Sequence, residues 1–290
     1  MPSQELVEDI ALTSSLKVLI TTYEEISVMR MQRIRDAVLQ TRSFIDGLVE
    51  VFEDVSESRR TVREAALARK IKREKVEARM QKPLLMLITT RSRFSGPVVR
   101  KIFRAFLTQA DREEADIVIA GKVGQELFAA ARPGMDFTYV EMPESRLLAA
   151  DLAPLVQHAA GRQNVHIFYG RFINLIDQVS AETNLSEVSF RSEAEARGHT
   201  RGRRTLRFLF EPSFGEVVDF FDTQILGSLV VQAAHESQLA VLGSRVTAME
   251  DASQRVNDRL NELKKIDRLL LKTKQNREQR DLMAGMTLWR

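Results

Sequence analysis

The positions of proline limit the folds that this chain can adopt. Between Ser3 and Gln81 there is no proline and a single glycine, Gly47, while six of the seven prolines lie between 83 and 212. Because proline cannot donate the backbone hydrogen bond of a helix interior, long stretches without it permit long helices. The sequence therefore predicts two helical arms, 1–82 and 212–290, on either side of a compact middle domain, 83–211.

Apolar residues recur in both arms with the 4,3 spacing of a coiled-coil seam. In the first arm the predicted seam is Leu12, Leu16, Leu19, Tyr23 and Ile26 and then, after a one-residue slip, Met31, Ile34, Val38, Thr41, Ile45, Leu48, Phe52 and Val55. In the last arm it runs from Phe214 to Leu270. A helix from 213 to 288 would be roughly 110 Å long. Since an apolar stripe of that length must be covered, the arms are predicted to wind together as an antiparallel coiled coil.

The middle domain alternates short apolar runs with helix-forming stretches. The predicted strands are 84–89, 116–121, 137–142 and 164–172, with later strands at 185–190 and 205–212. The predicted helices are 97–112, 122–131 and 145–160. This alternation is typical of a parallel, Rossmann-like sheet. The predicted fold class is therefore α/β: a long antiparallel coiled coil of the N- and C-terminal helices with an inserted Rossmann-like domain.

Few residues of this chain are suited to catalysis or metal binding. It contains no cysteine, and its four histidines have no paired spacing, so thiolate chemistry is excluded and no zinc site is indicated. Gly121-Lys122-Val123-Gly124 follows a strand and opens a helix, but it lacks the complete glycine pattern of a phosphate-binding loop. We interpret it as a strand-to-helix turn. We predict no catalytic, cofactor-binding or metal-binding residues, and an enzyme that uses the central sheet remains a third hypothesis.

Charge is unevenly distributed, although the formal net charge is only +3. The segment from Glu57 to Lys82 has ten basic and four acidic side chains, which suits nucleic acid, an acidic protein or simply a solvated helix face. It lacks the interleaved aromatic residues of a single-strand binding surface. The N-terminus has no secretory signal pattern and no run of about 18 apolar residues occurs, so we expect a cytoplasmic protein without direct membrane insertion.

The segment RVTAMEDASQRVNDRL resembles the C-terminal pattern R-M-x-A-M-x-x-A of the γ subunits of F-type ATP synthases. Arg245, Ala248, Met249 and Ala252 match, and Val246 replaces the usual methionine. Downstream, the positions that fall where the pattern expects them without insertion or deletion are Leu263, Glu278, Asp281 and Gly285. Looser similarities are Val28 to Met31, LLMLITTRSRFSG, Gly121 to Gly124 and Pro212-Ser213.

Two segments depart from the family pattern. The loop after the first strand has Ser92, Arg93 and Pro97 and keeps only Gly96 of its expected glycines. The family's R-Q-x-x-I-T is replaced by Leu271, Lys272, Gln275 and Asn276. The chain therefore resembles a divergent member of the family.

The resemblance implies the central rotor shaft of an ATP synthase, a non-catalytic γ subunit that couples ion-driven rotation to conformational change in the catalytic β subunits during ATP synthesis or hydrolysis. The implied partners are the α and β subunits of the catalytic ring, the ε subunit and the membrane c-ring, with no nucleic acid and no cofactor. The implied location is peripheral, on the inner face of the membrane. The residues expected to contact the catalytic ring are Arg245, Met249, Ala252, Glu278, Asp281, Gly285 and Trp289. The alternative is a coiled-coil scaffold whose basic segment, 57–82, binds nucleic acid or acidic protein.

A cationic surface is also expected on the last helix, where it would meet acidic loops of the catalytic subunits; the alternative interpretation is a solvated face. Its members are Arg259, Lys264, Lys265, Arg268, Lys272, Lys274, Arg277 and Arg280. The apolar tip from Leu282 to Trp289 would lie in an apolar sleeve at the top of the ring.

Overall fold

Two long helices dominate the computed structural model, which describes residues 4–57, 82–143, 147–160, 162, 164–184 and 214–287. Helix α1 spans Gln4–Glu57 with 54 residues, and the last helix, α5 in chain order, spans Phe214–Thr287 with 74 residues. Long helices in the N- and C-terminal parts of the chain are thus confirmed, whereas the predicted bounds of the arms stay predictions. The predicted strands at 185–190 and 205–212, almost all of the basic segment 57–82, and Trp289 lie outside the described residues.

A five-stranded sheet lies between the long helices in sequence. Its elements are β1 (Leu84–Ile88), α2 (Val98–Ala110), β2 (Asp116–Ala120), α3 (Lys122–Ala131), β3 (Thr138–Val140), α4 (Ala149–Ala159), β4 (Val165–Phe172) and β5 (Gln178–Asn184). The strand order is β3-β2-β1-β4-β5. The first four strands are parallel, and β5 is antiparallel to β4. The Rossmann-like alternation of the prediction is confirmed for β1 to β4.

Strand β5 was not predicted from the sequence. Its segment, QVSAETN, is mostly polar and is only partly buried, so it lacks the apolar run that marks the other strands. A signal was nevertheless present, because Val179, Ala181 and Thr183 alternate with polar residues after a short connection from β4. The sheet is therefore mixed, with an antiparallel strand paired beside β4.

Helix α5 packs against both faces of this sheet. Val230, Ala233 and Ala234 belong to the apolar core on the face covered by α4, whereas Val241 belongs to the core on the face covered by α2. Between these groups α5 must cross an edge of the sheet. Over residues 225–249 no position of α5 is exposed, as expected for a helix that is enclosed on all sides.

The chain divides into two compact units, residues 1–29 with 245–290 and residues 30–244, and both long helices contribute to each unit. In the first unit Glu24 interacts with Glu250. In the second Arg42 forms an ion pair with Glu236. Residue numbers rise along α1 and fall along α5 between these pairs, so the two helices run antiparallel, which confirms the predicted coiled-coil direction.

The predicted seam of α1 is correct from Met31 to Leu48, and the surroundings of Phe52 and Val55 lie outside the described residues. Ile34, Val38, Thr41, Ile45 and Leu48 are shielded, but Leu12, Leu16, Leu19 and Tyr23 are exposed, with Leu12 at 68%. The shielded positions instead continue the same 4,3 spacing without a slip through Leu6, Ile10, Thr13, Lys17, Ile20, Glu24, Ser27 and Met31. The prediction failed because it followed the most apolar residues, and the actual seam contains Thr13, Lys17, Glu24 and Ser27.

The apolar character of α5 has a packing explanation. By length and composition alone, the part from Gln224 to Ala284 is the single described helix that could cross a membrane, yet 56% of its most apolar window is buried inside the protein. A core helix passes the same test as a membrane span. We interpret α5 as such a core helix.

Candidate functional site

Helix α5 crosses the carboxyl edge of the sheet between β1 and β4. There the hydroxyl group of the buried Ser237 donates a hydrogen bond to the backbone oxygen of Ile88, at 3.1 Å, and accepts one from the amide of Gly170, at 3.4 Å. In this sheet the strand order reverses between β1 and β4, and such a reversal is where open α/β sheets bind their ligands. In this chain a helix of the protein itself occupies that crevice.

Small residues permit this close approach. A Cβ atom on Gly170 would lie 3.0 Å from the Cβ of Ala240, and one on Gly243 would lie 3.0 Å from the ring of Phe172. Because the backbones of α5 and β4 approach so closely, a side chain at either glycine would push the helix away from the sheet. The crossing therefore depends on small residues on both partners.

The divergent loop after β1 also rests on α5. Gly96 has φ +67°, and a Cβ atom there would lie 2.2 Å from the Oγ of Ser244. The same hydroxyl accepts a hydrogen bond from the amide of Val98, at 3.3 Å. The only glycine that this loop keeps is thus the one whose backbone touches the helix. Phe94 in the same loop has φ +59° and an exposed ring.

Three backbone amides of the turn from Gly121 to Gly124 are bonded within the chain. The amide of Gly124 donates to the Oγ1 of Thr89 at 3.0 Å, that of Val123 to the oxygen of Thr90 at 3.0 Å, and that of Gly121 to the oxygen of Val140 at 3.1 Å. A phosphate at a helix N-terminus is held by free amides of this kind. The geometry agrees with a strand-to-helix turn.

A buried carboxylate joins the two long helices. Oε1 of Glu236 on α5 accepts hydrogen bonds from Nε of Arg42 on α1, at 3.0 Å, and from the side-chain amide of Gln232, at 2.9 Å. Glu236 is only 2% exposed, and its second oxygen is buried without a hydrogen-bond partner among the described residues. Burial of a charge in this way is tolerated only when it is paired.

Two histidines are held by packing and hydrogen bonds. Nδ1 of His166, on β4, lies 2.6 Å from Oε1 of Glu182 on β5. Burial lowers the pKa of His235 from its usual 6.5, and a hydrogen bond to the backbone of Leu147 opposes that shift. No group of three or more potential metal ligands occurs among the residues that the structure describes.

The predicted contact residues fall into two groups on α5. Arg245 is 3% exposed, and Met249 and Ala252 are half-buried. Glu278 and Asp281 are exposed, and Oε1 of Glu278 lies 3.8 Å from Nζ of Lys274. Gly285 lies within α5, but its surroundings, like all of Trp289, are outside the described residues. Arg245 and Asp281 are separated by about 54 Å of helix, so the structure does not bring the two groups together.

The end of α5 is exposed over the part of it that the structure describes. Every residue from Arg268 to Ala284 is exposed, and so are all eight members of the predicted cationic surface. Large apolar side chains are exposed on the same stretch, namely Ile266, Leu269, Leu270, Leu271, Leu282 and Met283, with Met283 at 73%. An isolated helix with that much exposed apolar surface is marginal in water and is typical of an interaction surface.

A second exposed apolar surface lies on α1. Its members are Val7, Leu12, Leu16, Val18, Leu19 and Tyr23. We call it the α1 apolar surface. Sequence reasoning missed it by assigning four of these residues to the buried seam, although the uninterrupted 4,3 spacing from Leu6 to Leu48 could have revealed the correct face.

These features define a class of protein. The chain is an antiparallel pair of long helices with an α/β domain fixed to one of them, and among the described residues α5 occupies the crevice at the reversal of the strand order. Exposed apolar side chains lie on both long helices and also at the turn between β4 and β5, where Ile176 is 86% exposed. The class is that of a shaft that works by contacting partners.

The comparisons with known proteins give the family. A family model described as ATP synthase matches residues 3–276, so the chain belongs to the ATP synthase family. The ATP synthase gamma chain of Pelotomaculum thermopropionicum is 23% identical over 274 residues, covering 91% of this chain and 90% of that protein. The ATP synthase gamma chain of Desulforamulus reducens is 25% identical over 250 residues, covering 82% of this chain and 81% of that protein.

Solved structures agree on the fold. A chain of the Euglena gracilis mitochondrial ATP synthase matches with a TM-score of 0.64 and 16% identity, covering 98% of this chain and 93% of that one. A chain from the central stalk and c-ring of the Tetrahymena thermophila mitochondrial ATP synthase matches with a TM-score of 0.55 and 16% identity. The match covers 81% of this chain and 99% of that one.

Proposed function

We propose that this chain is the central rotor shaft, the γ subunit, of an F-type ATP synthase or ATPase. The observation that carries the proposal is the end of α5, where every described residue from Arg268 to Ala284 is exposed and leucine and methionine side chains stand beside cations. Such a surface needs a partner that encloses it. The relatives named ATP synthase gamma chain, which match over most of their length, support a catalytic ring as that partner.

The α/β domain would transmit torque to the shaft through the crossing at Ser237. Its hydroxyl group joins α5 to β1 and β4, and Gly96 brings the loop after β1 against Ser244. Because these contacts are buried and closely packed, a turning force on the domain would pass to α5 with little slippage. The crossing thus has a mechanical role in the proposal.

The α and β subunits of the catalytic ring would contact α5 and the α1 apolar surface. A shaft shifts the conformation of a catalytic subunit only by contacting its conformations differently. Glu278 and Asp281 belong to the exposed stretch of α5 and suit such contacts, and for Gly285 and Trp289 the contact stays a prediction. Met249 and Ala252 are half-buried and offer one face, whereas the burial of Arg245 leaves little of its side chain for a partner.

The remaining parts of the proposal concern the assembly. We propose that the chain is non-catalytic, that it also contacts the ε subunit and the membrane c-ring, and that it lies on the inner face of the membrane without inserting. The filling of the ligand crevice by α5 supports a non-catalytic role, because that crevice is where a doubly wound sheet would hold a substrate.

Affinity purification under native conditions tests the proposed function. The tagged chain is purified gently from its host at low salt, the accompanying proteins are identified by mass spectrometry, and ATP hydrolysis is assayed. We expect two related phosphate-loop subunits in excess over this chain, with an activity that falls when residues 282–290 are deleted. A matched control replaces the exposed Arg112 by alanine in the α/β domain and should retain the activity. A solitary chain, or one that carries nucleic acid, would contradict the proposal.

A further inference from the structure

We propose that the cluster of Arg42, Gln232 and Glu236 fixes the axial register of α1 against α5. Glu236 is 2% exposed and its carboxylate accepts two hydrogen bonds on one oxygen, one of them from the other long helix. Arg42 and Glu236 are 194 residues apart in sequence. The pair therefore ties together two segments that only the fold brings into contact.

The apolar seam cannot set this register alone. On α1, Ile34, Val38, Thr41, Ile45 and Leu48 repeat with the same 4,3 spacing, so a slide along the axis would again bring similar side chains to the partner helix. Several registers would bury comparable apolar area.

The buried carboxylate removes that degeneracy. A slide by one helical turn, about 5.4 Å, would carry the guanidinium group of Arg42 away from Glu236. The carboxylate would then be buried with Gln232 as its only donor, and its second oxygen already has no hydrogen-bond partner among the described residues. An unpaired buried charge is strongly unfavourable, so only the observed register satisfies Glu236. Arg42 and Glu236 are positioning residues, since neither contacts a reacting atom.

Distance measurements between the two helices test the inference on the full-length chain. Since the chain has no cysteine, cysteines at the exposed positions Gln40 on α1 and Gln224 on α5 can carry spin labels without background. Double electron–electron resonance should give one narrow distribution of the distance between the two spin labels in the parent protein. In Arg42→Met with Glu236→Leu, which keeps an apolar contact but removes the ion pair, we expect two or more distances that differ by about 5 Å while the unfolding temperature is retained.

The matched control replaces an exposed pair on the same helix, Arg35→Met with Asp36→Leu, and should keep the single distance. A single parent-like distance in the Arg42/Glu236 double variant would overturn the inference. If that variant does not fold, Glu236→Gln serves in its place, because it keeps the size of the side chain and removes its charge. We expect a second distance there too, and its absence would equally overturn the inference.

The consequence for rotation rests on the proposed function, whereas the distance measurement does not. In a reconstituted complex, we expect the double variant to lose a larger fraction of ATP-driven ion pumping than of ATP hydrolysis, because a shaft that can slip transmits less torque. An equal loss of both activities would contradict a role of the register in coupling. Failure to assemble with any phosphate-loop subunit would instead contradict the proposed function and leave the register result standing.

Discussion

The hydroxyl group of Ser237 donates a hydrogen bond to the backbone oxygen of Ile88, 149 residues away in sequence, over 3.1 Å. This bond joins α5 to the last residue of β1 at the point where the helix crosses the sheet. Since both residues are buried, no water replaces the bond without a rearrangement of the crossing. It is therefore one of the contacts that attach the α/β domain to α5.

Replacing Ser237 by alanine should destabilise the protein. The variant loses a buried side-chain hydrogen bond and leaves the oxygen of Ile88 with one donor fewer, which costs about 1–2 kcal/mol. Urea unfolding followed by circular dichroism measures the change. The control is Ser15→Ala, the same substitution on the exposed face of α1, which should stay within about 0.5 kcal/mol of the parent. Equal effects of the two substitutions would contradict the importance of the crossing.

Replacing Gly96 by alanine should weaken the contact between the β1 loop and α5. The new Cβ would lie 2.2 Å from the Oγ of Ser244, and the residue has φ +67°, so strain and overpacking together should cost about 2–4 kcal/mol. Gly134→Ala is the matched control, because Gly134 also has positive φ, at +86°, but its Cβ would meet nothing within 4 Å. The difference in unfolding free energy between the variants isolates the contact with Ser244, and a difference near zero would refute it.

Acid should destabilise the protein through His235. Its pKa is lowered from 6.5, mainly by burial, so the unfolded chain takes up a proton at a higher pH than the folded chain does. The stabilising contribution of neutral His235 is present above about pH 6.5 and is lost as the pH falls below that value towards the folded pKa. His235→Gln should flatten this part of the pH profile of the unfolding free energy. His158→Gln, the same change on α4, is the control, and an unchanged slope in His235→Gln would contradict the assignment.

The segments whose sequence pattern strongly constrains their structure were predicted correctly, and the others were not. Proline distribution predicted both long helices, and apolar runs predicted β1 to β4, because propensity and burial agree there. Strand β5 was missed since its polar residues are held by pairing with β4, which is a long-range effect. The first half of the α1 seam was assigned to the wrong face because its most apolar residues, such as Leu12, are exposed, whereas the polar Thr13 and Ser27 are shielded. The ion pair of Arg42 with Glu236 could not be predicted at all, since it needs the register of two helices.

Glu24 should oppose the pairing of the helices as the pH rises. Its pKa is raised from 4.5 by burial and by the negative charge of Glu250 on α5, so the folded chain holds a proton more tightly than the unfolded chain. The stabilising contribution is present below about pH 4.5 and is lost as the pH rises through the folded pKa. Glu24→Gln should therefore be more stable than the parent at pH 7, with a smaller difference at pH 4. Glu8→Gln on the same helix is the control, and a variant of Glu24 less stable than the parent at pH 7 would contradict the prediction.

Two leucines on α1 should separate the internal seam from the surface offered to partners. Leu6 is buried in the seam, whereas Leu12 is 68% exposed on the α1 apolar surface. Leu6→Ala should lower the unfolding free energy by about 1–3 kcal/mol, because it removes buried apolar area near a helix end that can partly relax. Leu12→Ala should change that free energy by less than about 0.5 kcal/mol. Under the proposed function, Leu12→Ala should nevertheless weaken the assembly of this chain with its phosphate-loop partners, as measured in a pull-down. Leu6→Ala should weaken that assembly only as far as it unfolds the chain. If Leu12→Ala destabilised the isolated chain as much as Leu6→Ala, then Leu12 would belong to the seam and the slip-free register of α1 would be wrong.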